Sequence, residues 1–172
     1  MSGSIDNAAP HNQREVNSIT SQAAVYAARK RLQESVDQSD ALEAIREIAA
    51  NLMGTEEIAV YRVDETRFAL WLYWSFGINP NRYPVLDTNR ESNLRAAVEG
   101  KLLLRTDSKS PKLLSLTDAV NAIVPIVSNG VVSAVLIVFG LLAHKTCLDG
   151  VDRQICEVIA NCASRAVEPR RS

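Results

Sequence analysis

The chain reads as an α+β domain: a central, mostly antiparallel sheet of about five to six strands, with N- and C-terminal helices packed on one face. Three observations predict this. Two pairs of β-branched segments are each joined by a short turn signal. Helical three- and four-residue apolar spacing marks both ends of the chain. The middle is irregular, polar and rich in turn residues.

Size and charge bound the function. A chain of 172 residues, 47% hydrophobic and 23% charged, suits one globular domain with a substantial core. Its 19 basic and 20 acidic residues leave a net charge of −1 with no long run of one sign, which argues against nucleic-acid binding. The start lacks a basic segment followed by an apolar one, so a cytoplasmic location is expected. Three cysteines, Cys147, Cys156 and Cys162, have no framework spacing and read as free thiols. Two histidines cannot build a His-rich metal site, and the H-x-x-C of His144 and Cys147 lacks a second ligand pair. No metal and no cofactor are expected.

Residues 1–13 are small and polar and read as a disordered tail. Residues 14–37 read as a helix with two adjoining stripes, one of Val16, Ile19, Ala23 and Tyr26 and one of Val25, Ala28, Leu32 and Val36. Such a helix can pack on its own domain and still offer a seam to a partner. The domain proper is expected over 38–168. Asp40 and Glu43 suggest a capping box for a helix through Leu42, Ile45, Ile48 and Leu52, stopped at Gly54. Residues 57–63 and 68–76 alternate as two strands with Asp64-Glu65-Thr66 at the turn. A loop with Pro80 and Pro84 follows. Thr88 and Glu91 suggest a second capping box for a short helix ending at Gly100. Residues 102–105 form a short strand, and 113–119 a turn of helix or strand. Asp149 caps the closing helix through Val151, Ile155, Val158, Ile159, Cys162 and Ala166, and 169–172 form a tail.

From Ala119 to Ala143 the chain carries no charged residue, long enough to raise the question of a membrane span. Asn129-Gly130 in its middle, between two Val/Ile-rich runs, is instead a strong signal for a hairpin with strands buried on both faces. No membrane association is expected.

The segment Asn121-Ala-Ile-Val-Pro-Ile-Val-Ser-Asn-Gly-Val-Val-Ser-Ala-Val-Leu-Ile-Val resembles a V-P-I/L strand, a turn with Gly, and a G-V-L-x-V strand. Cys147-Leu148-Asp149-Gly150-Val151-Asp152 resembles the F-x-x-x-D that precedes a last helix. With the helix 42–52 and the strand Ala59-Val60-Tyr61-Arg62-Val63, these resemble the GAF family of small sensor domains over about residues 38–167. PAS domains and roadblock-type dimerisation domains are the next structural choices. Ser133-Ala134 and Leu148 depart from the family pattern. The N-K-x-n-F-x-x-x-D-E pattern of its cyclic-nucleotide-binding members is absent, no cysteine stands where a bilin would attach, and the family's free methionine sulfoxide reductases place their cysteines before the central hairpin.

The resemblance implies a ligand cavity between the sheet and the middle helices, for which Tyr61, Trp71, Tyr73, Asn121 and Ser133 are the candidate lining residues. Of nine aromatic residues, six fall between 68 and 83. Strand alternation would put Trp71 and Tyr73 on one face and Phe68, Trp74 and Phe76 on the other. Aromatics pack apolar ligands and equally fill cores. No catalytic motif is present. The reading is a non-catalytic regulatory domain that senses a small ligand, makes protein–protein contacts, or both, as a homodimer through its terminal helices. With no output domain in the sequence, it would relay to a separate signalling partner. The alternatives are a purely structural module with a closed pocket and a thiol-based redox protein using Cys147.

Overall fold

The computed structural model describes residues 9–168. The sheet has six strands: β1 (Ile58–Val63), β2 (Ala69–Phe76), β3 (Val85–Asp87), β4 (Leu103–Leu104), β5 (Ala122–Ser128) and β6 (Val131–Val138). The helices are α1 (Ala9–Gln33), α2 (Gln38–Ile48), α3 (Ser92–Val98) and α4 (Gly150–Cys162). The strand order is β3-β2-β1-β6-β5-β4, with every neighbouring pair antiparallel.

The charge-free stretch is the β5–β6 hairpin. Asn129 and Gly130 both take positive φ (52° and 78°), the turn whose twist matches the flanking strands. β6 lies between β5 and β1, so side chains on both of its faces are buried, and its run of valines, leucine and isoleucine follows from that position. Among the described residues, no helix is long and apolar enough to cross a membrane.

Each sheet face carries its own core. On one face α1, α2 and α4 bury Leu32, Ile45, Ile48, Ile155 and Ile159 against Ile58, Val60, Val124 and Leu136. On the other, α3 and the loops around it bury Leu94, Ala97, Leu114 and Val120 against Ala59, Tyr61, Leu70, Ile123 and Ile137. The terminal helices therefore share one face, as the resemblance implies.

Several local expectations are corrected. Residues 9–13 belong to α1 and not to a tail, while residues 1–8 and the tail 169–172 lie outside the described residues. The N-terminal helix is 9–33, Ala28 and Leu32 place its second half in the main core, and residues 34–37 link it to α2. Helix α2 is capped by Asp37, whose carboxylate accepts from Asp40 N at 2.8 Å; Asp40 in turn accepts from Val36 N, and Glu43 pairs with Arg46. A π-helical turn, Ala49–Met53, ends α2 at Gly54, left-handed at φ 72°. Thr88 does not cap α3: its hydroxyl donates to Arg67 O, and Glu91 stands at the cap position. The loop 77–84 leads into β3, which is too short to announce itself by alternation. Asp149 caps α4 in a reciprocal box with Asp152.

Candidate functional site

The expected cavity would lie under α3, on the face of Tyr61. That space is filled by side chains. Leu70, Leu94, Ala97, Leu114, Ile123 and Ile137 are fully buried there, and the Tyr61 hydroxyl donates to Tyr83 O at 2.8 Å. Burial pushes the Tyr61 phenol well above its usual pKa. The segment 113–120 closes over this core. Glu91, itself buried, accepts from Ser115 N at 3.0 Å and from the Ser115 hydroxyl, and Asn93 Nδ2 donates to Leu113 O at 2.8 Å.

At the rim a cleft of about 160 Å³ remains, lined by Glu57, Asn79, Arg82, Tyr83, Thr117 and Phe139 among others. Tyr83 and Phe139 stack at 6.0 Å, and the Arg82 guanidinium lies 5.3 Å from the Tyr83 ring centre. Glu57 accepts from Gly140 N at 3.0 Å. Gly77 (φ 74°) shapes the wall, because a Cβ there would lie 1.8 Å from Glu56 O. The cleft has room for roughly five waters, below the ~300 Å³ at which small-molecule pockets usually begin.

The five residues expected to line a pocket are not brought together. Tyr61 faces the α3 side. Register places Trp71 opposite Arg62 on β1, on the face of the terminal helices, and Tyr73 packs into that same helix-side core. Asn121 stands just before β5, where its amide donates to Ala119 O and Phe139 O and ties the hairpin ends together. Ser133 is the extra residue of a bulge in β6, between the pairs Val127–Val132 and Ile126–Ala134.

A second bulge corrects the aromatic alternation. Val60 pairs with Trp74 and Tyr61 with Leu72, leaving Tyr73 as the inserted residue of β2. Trp71, Tyr73, Trp74 and Phe76 consequently all lie on the helix side. One inserted residue resets the two-residue period, and composition alone carries no sign of it. Arg62 reaches over Tyr73, its guanidinium 3.8 Å from the ring centre, and donates to Val167 O at 3.1 Å. The cleft residues Glu57, Arg82, Thr117 and Phe139 were not identified from sequence. Only Gly77, in a loop, offered a signal there.

Cys156 is buried on α4, and burial pushes its thiol up to about 12, which suppresses the nucleophilic thiolate. Cys147 and Cys162 are half-buried. Among the described residues no three His, Cys, Asp or Glu side chains converge as a metal would need.

No protein-family model matches the chain, and neither does any curated protein. Among solved structures it is similar to the GAF domain of an Acinetobacter phosphoenolpyruvate-protein phosphotransferase, at 18% identity over 87% of this chain and 97% of that one, with a TM-score of 0.58. It is also similar to a GAF domain/HD domain protein from Geobacter sulfurreducens (20% identity, 79% and 95% covered, TM-score 0.58). A third is the type II free methionine-R-sulfoxide reductase of Thermoplasma acidophilum (14% identity, 84% and 94% covered, TM-score 0.58). At these identities the likeness shows the fold, which is GAF-like.

Proposed function

Starting from a GAF-like fold, we propose that this chain is a non-catalytic regulatory domain of a cytoplasmic signalling system, acting as a homodimer and passing its response on through protein–protein contact. The observation that carries the reading is the outward stripe of α1. Val16, Ile19, Ala23 and Tyr26 recur at steps of three, four and three, the heptad spacing of a two-helix seam, and all four are exposed; Ile19 is 66% exposed. The inward stripe, with Ala28 and Leu32, is already used by the chain's own core. From residue 12 to 20 every side chain of α1 is exposed, and a helix with so little of its own core is marginal alone in water. A second copy packed on the stripe would supply the missing contacts. Helix α4 turns Arg153 and Glu157 outward as an exposed ion pair, so the apolar seam is centred on α1.

The small space left in the rim cleft favours protein contact over small-ligand sensing. The likeness to GAF domains of a phosphotransferase and of an HD domain protein fits a module within signalling machinery.

Sedimentation equilibrium at micromolar concentration tests the reading. The chain is expected to sediment as a dimer, and Ile19→Asp as a folded monomer with an unchanged near-ultraviolet spectrum. A monomeric parent chain would overturn it. A thermal-shift screen of metabolites and anions is expected to be flat, because only a ligand that selects the folded state stabilises it. A reproducible rise of several degrees would reinstate the sensor.

A further inference from the structure

The outward line of α1 runs on past the four apolar residues, at the same steps of four and three. Asn12, Val16, Ile19, Ala23, Tyr26 and Lys30 are all exposed along it. The line spans two unlike halves of the helix. Tyr26, 64% exposed, stands on the half that Ala28 and Leu32 anchor in the core, whereas every side chain from 12 to 20 is exposed. Side-chain size and charge decide which half of a second copy each half meets.

In a parallel pair each position meets itself. Ala23 would face the partner's Ala23 and leave a gap between the larger Ile19 and Tyr26 layers, and Lys30 would face the partner's Lys30 as a like charge. An antiparallel pair with its two-fold axis level with Ser21 removes both faults. Tyr26 then meets the partner's Val16, and Ile19 meets the partner's Ala23, so larger and smaller side chains alternate across the seam and fill it. Lys30 meets the partner's Asn12, whose amide oxygen accepts from the ammonium group. Each contact occurs twice, as an isologous interface requires. The same arrangement lays each bare half on the partner's anchored half, and a surface already held by its own core loses less conformational freedom on association. We infer that α1 pairs antiparallel with α1 of a second copy, in this register. The inference rests on the dimer proposed above and adds its direction and its contacts.

A double-mutant cycle read by sedimentation equilibrium at low ionic strength tests it. The four proteins are the parent, Asn12→Lys, Lys30→Glu and the variant carrying both. Both positions are exposed, so the near-ultraviolet spectra should not change. Within one helix the two positions lie about 27 Å apart, so they do not touch in a single chain or across a parallel pair. In the antiparallel pair Asn12→Lys sets two new lysines against Lys30 and should raise Kd about fourfold. Adding Lys30→Glu turns both contacts into opposite-charge pairs, so the double variant should associate about tenfold more tightly than the two single effects combined predict. Lys30→Glu alone measures the loss of the exposed 3.9 Å contact between Lys30 and Glu34. Raised ionic strength should shrink the coupling. A dimer in which the two substitutions act independently would overturn the orientation and leave the dimer standing, whereas a monomeric parent would overturn both.

Discussion

Replacing Lys145 by Met should destabilise the protein strongly at neutral pH and much less in mild acid. Asp152, in the first turn of α4, is 1% exposed. Its carboxylate accepts from Asp149 N at 2.8 Å and meets Lys145 Nζ at 2.7 Å, and the lysine side chain is itself only 19% exposed. Burial pushes the Asp152 carboxyl above its usual value, outweighing the lysine and the backbone N–H, which pull it down. Removing one partner of a buried pair leaves the other charge uncompensated, at a cost of about 3–5 kcal/mol. The retained Asp149 N–H and the partial exposure of Lys145 place the expected loss near ~3 kcal/mol, a fall in Tm of about 6–12 °C for a domain of this size.

The pH dependence follows from linkage. Because its folded pKa lies above the unfolded value, this carboxyl contributes most to stability below the unfolded pKa, and the contribution is lost as pH rises through the folded one. Loss of the lysine moves the folded pKa further up, so protonation relieves the variant sooner. The deficit at pH 5 should be smaller than that at pH 7. Urea unfolding of the parent, Lys145→Met and the double variant with Asp152→Asn would measure it. The asparagine oxygen can still accept from Asp149 N, so the double variant should recover to within about 1 kcal/mol of the parent. A single variant within about 0.5 kcal/mol of the parent, a deficit equal at both pH values, or no recovery in the double variant would refute the reasoning.

Tyr61→Phe strips the hydrogen bond to Tyr83 O without emptying the core, and should cost about 0.5–1.5 kcal/mol, read as a lower urea midpoint with an unchanged slope. Gly77→Ala and Gly130→Ala both force a side chain into positive φ, but only at Gly77 would the new Cβ strike backbone; Gly130 should lose about 1 kcal/mol and Gly77 clearly more, as compared by thermal melts. Cys156 should resist alkylation in the native protein at pH 8 and react on unfolding, as peptide mass mapping would show. Its thiol, raised to about 12, holds its proton more tightly when folded, so its contribution is intact below about pH 9 and is lost as pH climbs towards 12.

Much of the fold is written in local pattern. Asn129-Gly130 between valine-rich runs declares the central hairpin and Asp149 declares the start of α4. Each rests on interactions within a few residues, where spacing is enough. Of the second stripe of the N-terminal helix, Ala28 and Leu32 face the core whereas Val36 lies past its end and is 81% exposed. The candidate site was another matter. Tyr61, Trp71, Tyr73, Asn121 and Ser133 look alike as unusual residues in apolar strands, yet they stand on two faces and at a strand end.

Two inserted residues, Tyr73 in β2 and Ser133 in β6, decided which face their neighbours take, and a bulge shows only once strands are paired. Closure of the pocket was decided by Leu114 and Val120 arriving from a loop whose path depends on Glu91, more than twenty residues earlier in the chain. The sequence by itself determined the main elements and their order, because these depend on neighbours along the chain. Only the tertiary structure decided that the α3 face is filled and that the aromatic strand faces the terminal helices. Those outcomes depend on register and packing between segments far apart in sequence.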